Sequence, residues 1–271
     1  MALLDKAIKR TGIIQQARLQ HLLALLTGKA RRNAAASTEQ AAEEYILHLL
    51  NLLKDSGIYA LSSLASPLVA LVLAPFLTRY LSRPEYGALA VLNITISLIA
   101  ACTQLGMATS FFRAYNWDYE TQGDRFAIFT TSLLLLLLVS TPVLIVMYIC
   151  APWLSALLLG SAAFSSALKI TALVIFVQNL ALPLLLWLRA EKRALLFSLL
   201  SICNLLVTLV GTLFFVGVLH MGIDGSLLAS AGGYLILVLS ICPVVFSQLK
   251  KGLSMRPRMD ITHNLLRFGI P

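Results

Sequence analysis

Six windows of the chain carry no Asp, Glu, Lys or Arg: 56–78, 86–112, 126–168, 170–188, 194–223 and 225–249. Crossing the hydrocarbon core of a bilayer takes about 20 helical residues, and each window is of that order or longer. The pattern predicts an all-α, polytopic membrane protein. The 126–168 window, at 43 residues, is too long for one helix. It holds either one span and a loop or two spans, and the placement of charge decides between them. With one span near 126–149, the stretch 151–166 becomes a loop, in which Pro152, Gly160 and Ser161 are turn formers. The basic residues then divide into 18 on one side (the N-terminal region, 113–125, 189–193 and the tail from Lys250) and three on the other, Arg79, Arg83 and Lys169. A hairpin would carry Arg189, Lys192 and Arg193 across and break the positive-inside bias. The expected architecture is therefore an antiparallel six-helix transmembrane bundle with a cytoplasmic N-terminus. Its spans are about 57–80, 87–112, 126–149, 167–189, 194–219 and 224–248. Short connections predict that helices adjacent in sequence are neighbours in space.

The bundle, 56–249, is flanked by two different regions. Residues 1–55 hold eight Lys/Arg, with Leu3, Leu4, Ala7 and Ile8 on one side of a helix and Lys6, Lys9 and Arg10 beside them. That suits a basic amphipathic extension lying on an anionic membrane surface. Residues 250–271 read as a basic cytoplasmic loop followed by the truncated start of a seventh helix at Leu265–Pro271.

Composition sharpens this picture. The chain is 59% apolar and 12% charged, against about 25% charged in an ordinary soluble domain. The net charge of +9 follows membrane topology, so no nucleic-acid partner is expected. Cys102, Cys150, Cys203 and Cys242 all fall in apolar windows without a C-x-x-C pair, and read as buried apolar residues rather than disulfides or zinc ligands. No metal, other cofactor or catalytic residue is expected. No P-loop, H-E-x-x-H or G-x-S-x-G run occurs. Asp118, Glu120 and Asp124 form one acidic group in the 113–125 loop. It suits a solvated loop better than the metal site of a glycosyltransferase, because no second acidic cluster exists.

The spans do contain prolines (Pro67, Pro75, Pro142, Pro183, Pro243) and amides. Asn93 and Gln104 fall in the second span, Gln178 and Asn179 in the fourth, and Asn204 in the fifth. An amide in hydrocarbon is costly unless paired or wet. Gln104, Gln178, Asn179 and Asn204 therefore either bond between helices or line a polar cavity for a hydrophilic substrate. Arg113 and Arg189 stand at inner helix ends, and Arg79 and Lys169 at outer ends. A guanidinium fork suits phosphate oxygens, while snorkelling at the interface accounts for the same placement.

The run Pro75-Phe76-Leu77-Thr78-Arg79-Tyr80-Leu81-Ser82-Arg83-Pro84-Glu85-Tyr86-Gly87 reads P-x-L-T-R-x-L-S-x-x-E-Y-G. It resembles the first hairpin of the bacterial polysaccharide flippases, the Wzx-like branch of the multidrug/oligosaccharidyl-lipid/polysaccharide exporter superfamily. Weaker echoes follow at Gln104–Met107, Phe112–Tyr115, Leu188–Arg193 and Leu266–Pro271. The resemblance covers about 55–271. It implies the first lobe of a two-lobe transporter in the cytoplasmic (inner) membrane. Such a protein moves a polyprenyl-diphosphate-linked oligosaccharide to the outer leaflet by alternating access, for cell-surface polysaccharides such as lipopolysaccharide. The implied partners are that lipid-linked glycan, membrane lipids and polysaccharide-assembly membrane proteins. Arg79, Arg113 and Arg189 are the candidates the resemblance implies for holding the diphosphate, Arg113 first, since it stands next to Tyr115 and Trp117, whose rings suit stacking on a sugar. The competing readings are a multidrug or metabolite antiporter of the same superfamily, a membrane-embedded glycosyltransferase or polymerase, and an inactive fragment.

Overall fold

In a computed structural model, the description covers Gly57, Ala60, residues 64–104, 106–118, 122–240, Pro243 and Ile261, without the side chains of Trp117, Asp118 and Gln122. The basic extension at 1–55, and the 250–271 segment apart from Ile261, lie outside these residues. The described chain is helical throughout, with no strand among its elements.

Helix α1 runs Leu64–Tyr80 and α2 runs Arg83–Gln104. Their junction is the most specific part of the sequence motif, and its chemistry is that of a helix start. The Ser82 N–H and hydroxyl both donate to Glu85 Oε2, at 2.8 and 2.7 Å. This S-x-x-E spacing satisfies donors that the first turn of α2 would otherwise leave unpaired. Glu85 also faces the start of the last helix, because a Cβ added at Gly222 would lie 3.1 Å from its Oε1. Gly222 has φ +59°, where a side chain would be strained as well. Ser82→Ala is expected to cost about 1 kcal/mol, read as a lower midpoint for unfolding of the purified protein in mixed detergent micelles.

The second apolar window is not one continuous helix. After Gln104 the chain turns at Gly106, φ +63°, and restarts as α3, Met107–Arg113. Glycine reaches this left-handed conformation without steric cost, so the apolar run hides a break. A π-helical turn, Ala114–Asp118, follows. Helix α4, Gln122–Ile149, carries Pro142 within it. The segment expected to be a loop after α4 is instead largely helical: α5 spans Ala151–Leu159, with Pro152 in its first turn and Gly160 at its end with φ +69°. Both residues are punctuation, but of a helix, since proline suits the first turn and glycine the residue past the last. A 3₁₀ turn, Ala162–Phe164, leads into α6, Ser165–Ala190, which contains Pro183. Helices α7, Ala194–Gly217, and α8, Gly222–Leu239, complete the described bundle.

Helix α6 is its centre. Of its most apolar 18 residues 61% are buried, against 11% for α7. It packs against α2, α4, α5 and α8. The expectation that sequence neighbours pack together holds for α7 and α8, but α6 meets α8 far more than α7. The flanks of α6 are occupied by α4 and α8, which leaves α7 peripheral. Glycines let α7 and α8 approach: a Cβ at Gly211 would lie 3.0 Å from the Ala229 Cβ, and one at Gly225 2.9 Å from the Phe215 Cβ.

Two apolar cores result. One gathers Leu92, Ile96, Leu168, Ile175, Val216 and Leu227. The other gathers Phe111, Tyr115, Phe129, Leu184, Trp187 and Ile261. Leu68, Leu71, Ile94, Leu98, Leu138, Leu199 and Val210 are exposed. So many large apolar side chains on the outside are foreign to a water-facing surface and fit one bathed in lipid. Among the described residues, five stretches are long and apolar enough to cross a membrane: Arg83–Asn116, Gly123–Ile149, Ala162–Ala190, Ala194–Gly217 and Gly222–Leu239; Leu64–Tyr80 is a shorter apolar helix. Cys102, Cys150 and Cys203 are free thiols, and Cys102 is exposed. The expectation that all the cysteines are buried is thus corrected: Cys102 lies on a face of α2 that the bundle does not cover, Cys150 and Cys203 are half-buried, and Cys242 lies outside the described residues.

Candidate functional site

Asn179, midway along α6, is wholly buried and joins three helices. Its Nδ2 donates to Thr103 Oγ1 of α2 at 2.7 Å and to Ser140 Oγ of α4 at 2.9 Å. Gln104 Nε2 donates in turn to Asn179 Oδ1 at 3.2 Å. Both amide protons and the carbonyl are engaged, so the desolvation cost of a buried amide is offset. The Thr103 hydroxyl passes its own proton back to the carbonyls of Ile99 and Ala100, at 2.9 and 3.0 Å. Of the amides singled out by sequence, Gln104 and Asn179 are thus brought together, in interhelical bonding.

Gln178 and Asn204 stand apart from this layer. Each is half-buried, and Gln178 Oε1 and Asn204 Oδ1 are enclosed without a hydrogen-bond partner among the described residues. Asn204 lies against the backbone of α8. A Cβ at Gly233 would collide with Asn204 Oδ1 and Thr208 Oγ1 and come within 2.9 Å of the Asn204 carbonyl oxygen.

The three candidate arginines are exposed and do not share one end of the bundle. Arg79 closes α1 and Arg113 closes α3, with the 22-residue α2, roughly 33 Å long at 1.5 Å per residue, between them. Arg189, at the end of α6, holds its guanidinium 4.4 Å from the centroid of Phe197. Nearby, Arg193 lies 5.4 Å from the Trp187 ring. These are cation–π distances, and they fix the turn between α6 and α7.

That turn is also tied to the π-helical turn after α3. The Tyr115 hydroxyl donates to Glu191 Oε1. The Tyr115 ring stacks on Phe111 at 5.9 Å and is covered by the Arg125 guanidinium at 4.9 Å. Tyr115 is 2% exposed, so its ring is not presented to a sugar; that expectation is corrected, the ring being taken up by Phe111 and Arg125. The side chain of Trp117 lies outside the described residues. Sequence reasoning missed Thr103, Ser140, Arg125 and Glu191. The only signal for the Tyr115–Glu191 bond was that both residues fall in the weaker echoes, Phe112–Tyr115 and Leu188–Arg193. Among the described residues, no three His, Cys, Asp or Glu side chains gather as metal ligands would.

Long apolar helices, a lipid-type exterior and a hydrogen-bonded amide layer at the centre define a multi-pass helical membrane protein. The chain belongs to the polysaccharide biosynthesis protein family, which it matches over residues 76–271. The match begins inside the α1–α2 motif and agrees with its resemblance to the Wzx-like proteins. No individual curated protein and no solved structure matches the chain. Its role is accordingly a membrane role in polysaccharide biosynthesis.

Proposed function

We propose that the chain forms the first, six-span lobe of a flippase for polyprenyl-diphosphate-linked oligosaccharide, working by alternating access in the cytoplasmic membrane without enzymatic chemistry. Family membership over residues 76–271 is the observation that carries this reading. The physical problem also matches the parts available. A glycan cannot cross hydrocarbon and needs a wet path between two lobes, while its polyprenyl tail stays in lipid. The diphosphate needs cations at each end of that path. Arg113 and Arg189 serve one end and Arg79 the other, while the enclosed acceptors of Gln178 and Asn204 meet sugar hydroxyls only when the helices around them part during the transport cycle. Gln104 and Asn179 hold the lobe together instead.

Two results test this reading. With both lobes present and expression matched, Arg113→Lys is expected to reduce delivery of lipid-linked glycan to the outer leaflet about tenfold, because an ammonium loses the bidentate fork. Normal delivery for the Lys variants of Arg79, Arg113 and Arg189 alike would remove the phosphate role. For topology, cysteine introduced at position 191 in a background without native thiols is expected to react with an impermeant maleimide only after the membrane is opened. Labelling in intact cells would reverse the orientation.

A further inference from the structure

Away from the amide layer and the arginines, one cavity combines an apolar wall with a cation. It lies between the last turns of α4 and the first turns of α6 and has a volume of about 600 Å³. Leu144, Ile145, Ile149, Ile170 and Leu173 form its wall, and Tyr148, Ser166 and Lys169 supply its polar groups. No carboxylate is among the described residues that line it. The Lys169 ammonium sits 5.0 Å from the centroid of the Tyr148 ring, a distance typical of cation–π attraction. Ile145, Tyr148, Ile149 and Leu173 are exposed, so the groove opens on the outside of the bundle, where apolar side chains meet lipid.

We propose that this groove is a binding site for an anionic phospholipid. The lipid phosphate sits on the Lys169 ammonium, within reach of the Ser166 and Tyr148 hydroxyls, and an acyl chain lies along the leucine and isoleucine wall. The charge balance selects this occupant. One cation, held near the end of an apolar helix with no acid beside it among the described residues of the groove, is matched by one phosphate at headgroup depth. A zwitterionic lipid brings its own ammonium and competes with Lys169 for that phosphate. A second apolar helix would bury the lysine without a counter-charge, which is costly. A soluble anion would leave the wall unused.

Native mass spectrometry of the full chain in detergent, with equimolar phosphatidylglycerol and phosphatidylcholine of the same acyl chains, tests the site. The wild type is expected to retain phosphatidylglycerol in preference. Lys169→Gln should reduce that preference about fivefold, the effect of one lysine near a lipid surface. Lys169→Arg should keep it, and Leu173→Trp, which fills the groove, should reduce binding of both lipids. An unchanged preference in Lys169→Gln would overturn the proposal. So would displacement of the lipid by millimolar inorganic phosphate, or a species at twice the chain mass in place of the lipid adduct.

Discussion

Gly233→Ala is expected to destabilise the bundle by about 3 kcal/mol, the upper part of the range for overpacking a filled interior. The added methyl would meet the Asn204 amide, the Thr208 hydroxyl and the Asn204 backbone carbonyl at once. The side chains could rotate away, but the carbonyl belongs to the backbone of α7 and yields only if the two helices separate. Gly232→Ala supplies the control, since a Cβ there meets nothing within 4 Å. By helix propensity alone it should be neutral or stabilising by up to about 1 kcal/mol. Unfolding midpoints of both variants in mixed micelles separate the two effects. Equal midpoints would mean that α7 and α8 do not meet at Asn204 and Gly233.

Asn179→Ala should cost about 2 kcal/mol. It removes three interhelical hydrogen bonds, each worth roughly 0.6 kcal/mol in a bilayer and at most about 1.7. It also strands the Ser140 hydroxyl and the Gln104 amide. Ser140→Ala should cost about 0.6 kcal/mol by itself and almost nothing when Asn179 is already alanine. That non-additivity in a double-mutant cycle is the signature of a direct bond. A structural role for Asn179 further predicts that glycan delivery per folded molecule stays near wild type. Delivery that falls while the folded fraction is unchanged would return Asn179 to the substrate path.

Charge-free windows located the long helices closely. The fourth span, read as 167–189, is the helix Ser165–Ala190, because Lys192 and Arg193 bound it on one side and small polar residues bound it on the other. The break at Gly106 and the helix Ala151–Leu159 were not legible. Hydropathy measures burial in lipid and is blind to the backbone conformation of a single glycine or to a short helix inside a 43-residue apolar window. The amides were legible as costly groups needing partners, but the partners were not. Thr103 and Ser140 look like any other hydroxyl in a span, and their meeting with Asn179 depends on how three helices are set against one another, which one sequence does not encode locally. The same holds for Tyr115 and Glu191, which lie 76 positions apart. Cations at helix ends were readable as interfacial, with Arg79 opposite Arg189, yet only the structure shows Arg189 seated on Phe197.

The most direct measurement of the central claim uses sealed right-side-out vesicles that hold both lobes and carry polyprenyl-diphosphate-linked oligosaccharide only in the inner leaflet. An impermeant glycosidase or lectin outside reports each glycan that crosses. The flippase reading predicts that glycan becomes accessible at a rate proportional to the folded protein present, and well above that of protein-free vesicles. Glycan that stays protected at the protein-free rate, in vesicles where the bundle is inserted and folded, would contradict it.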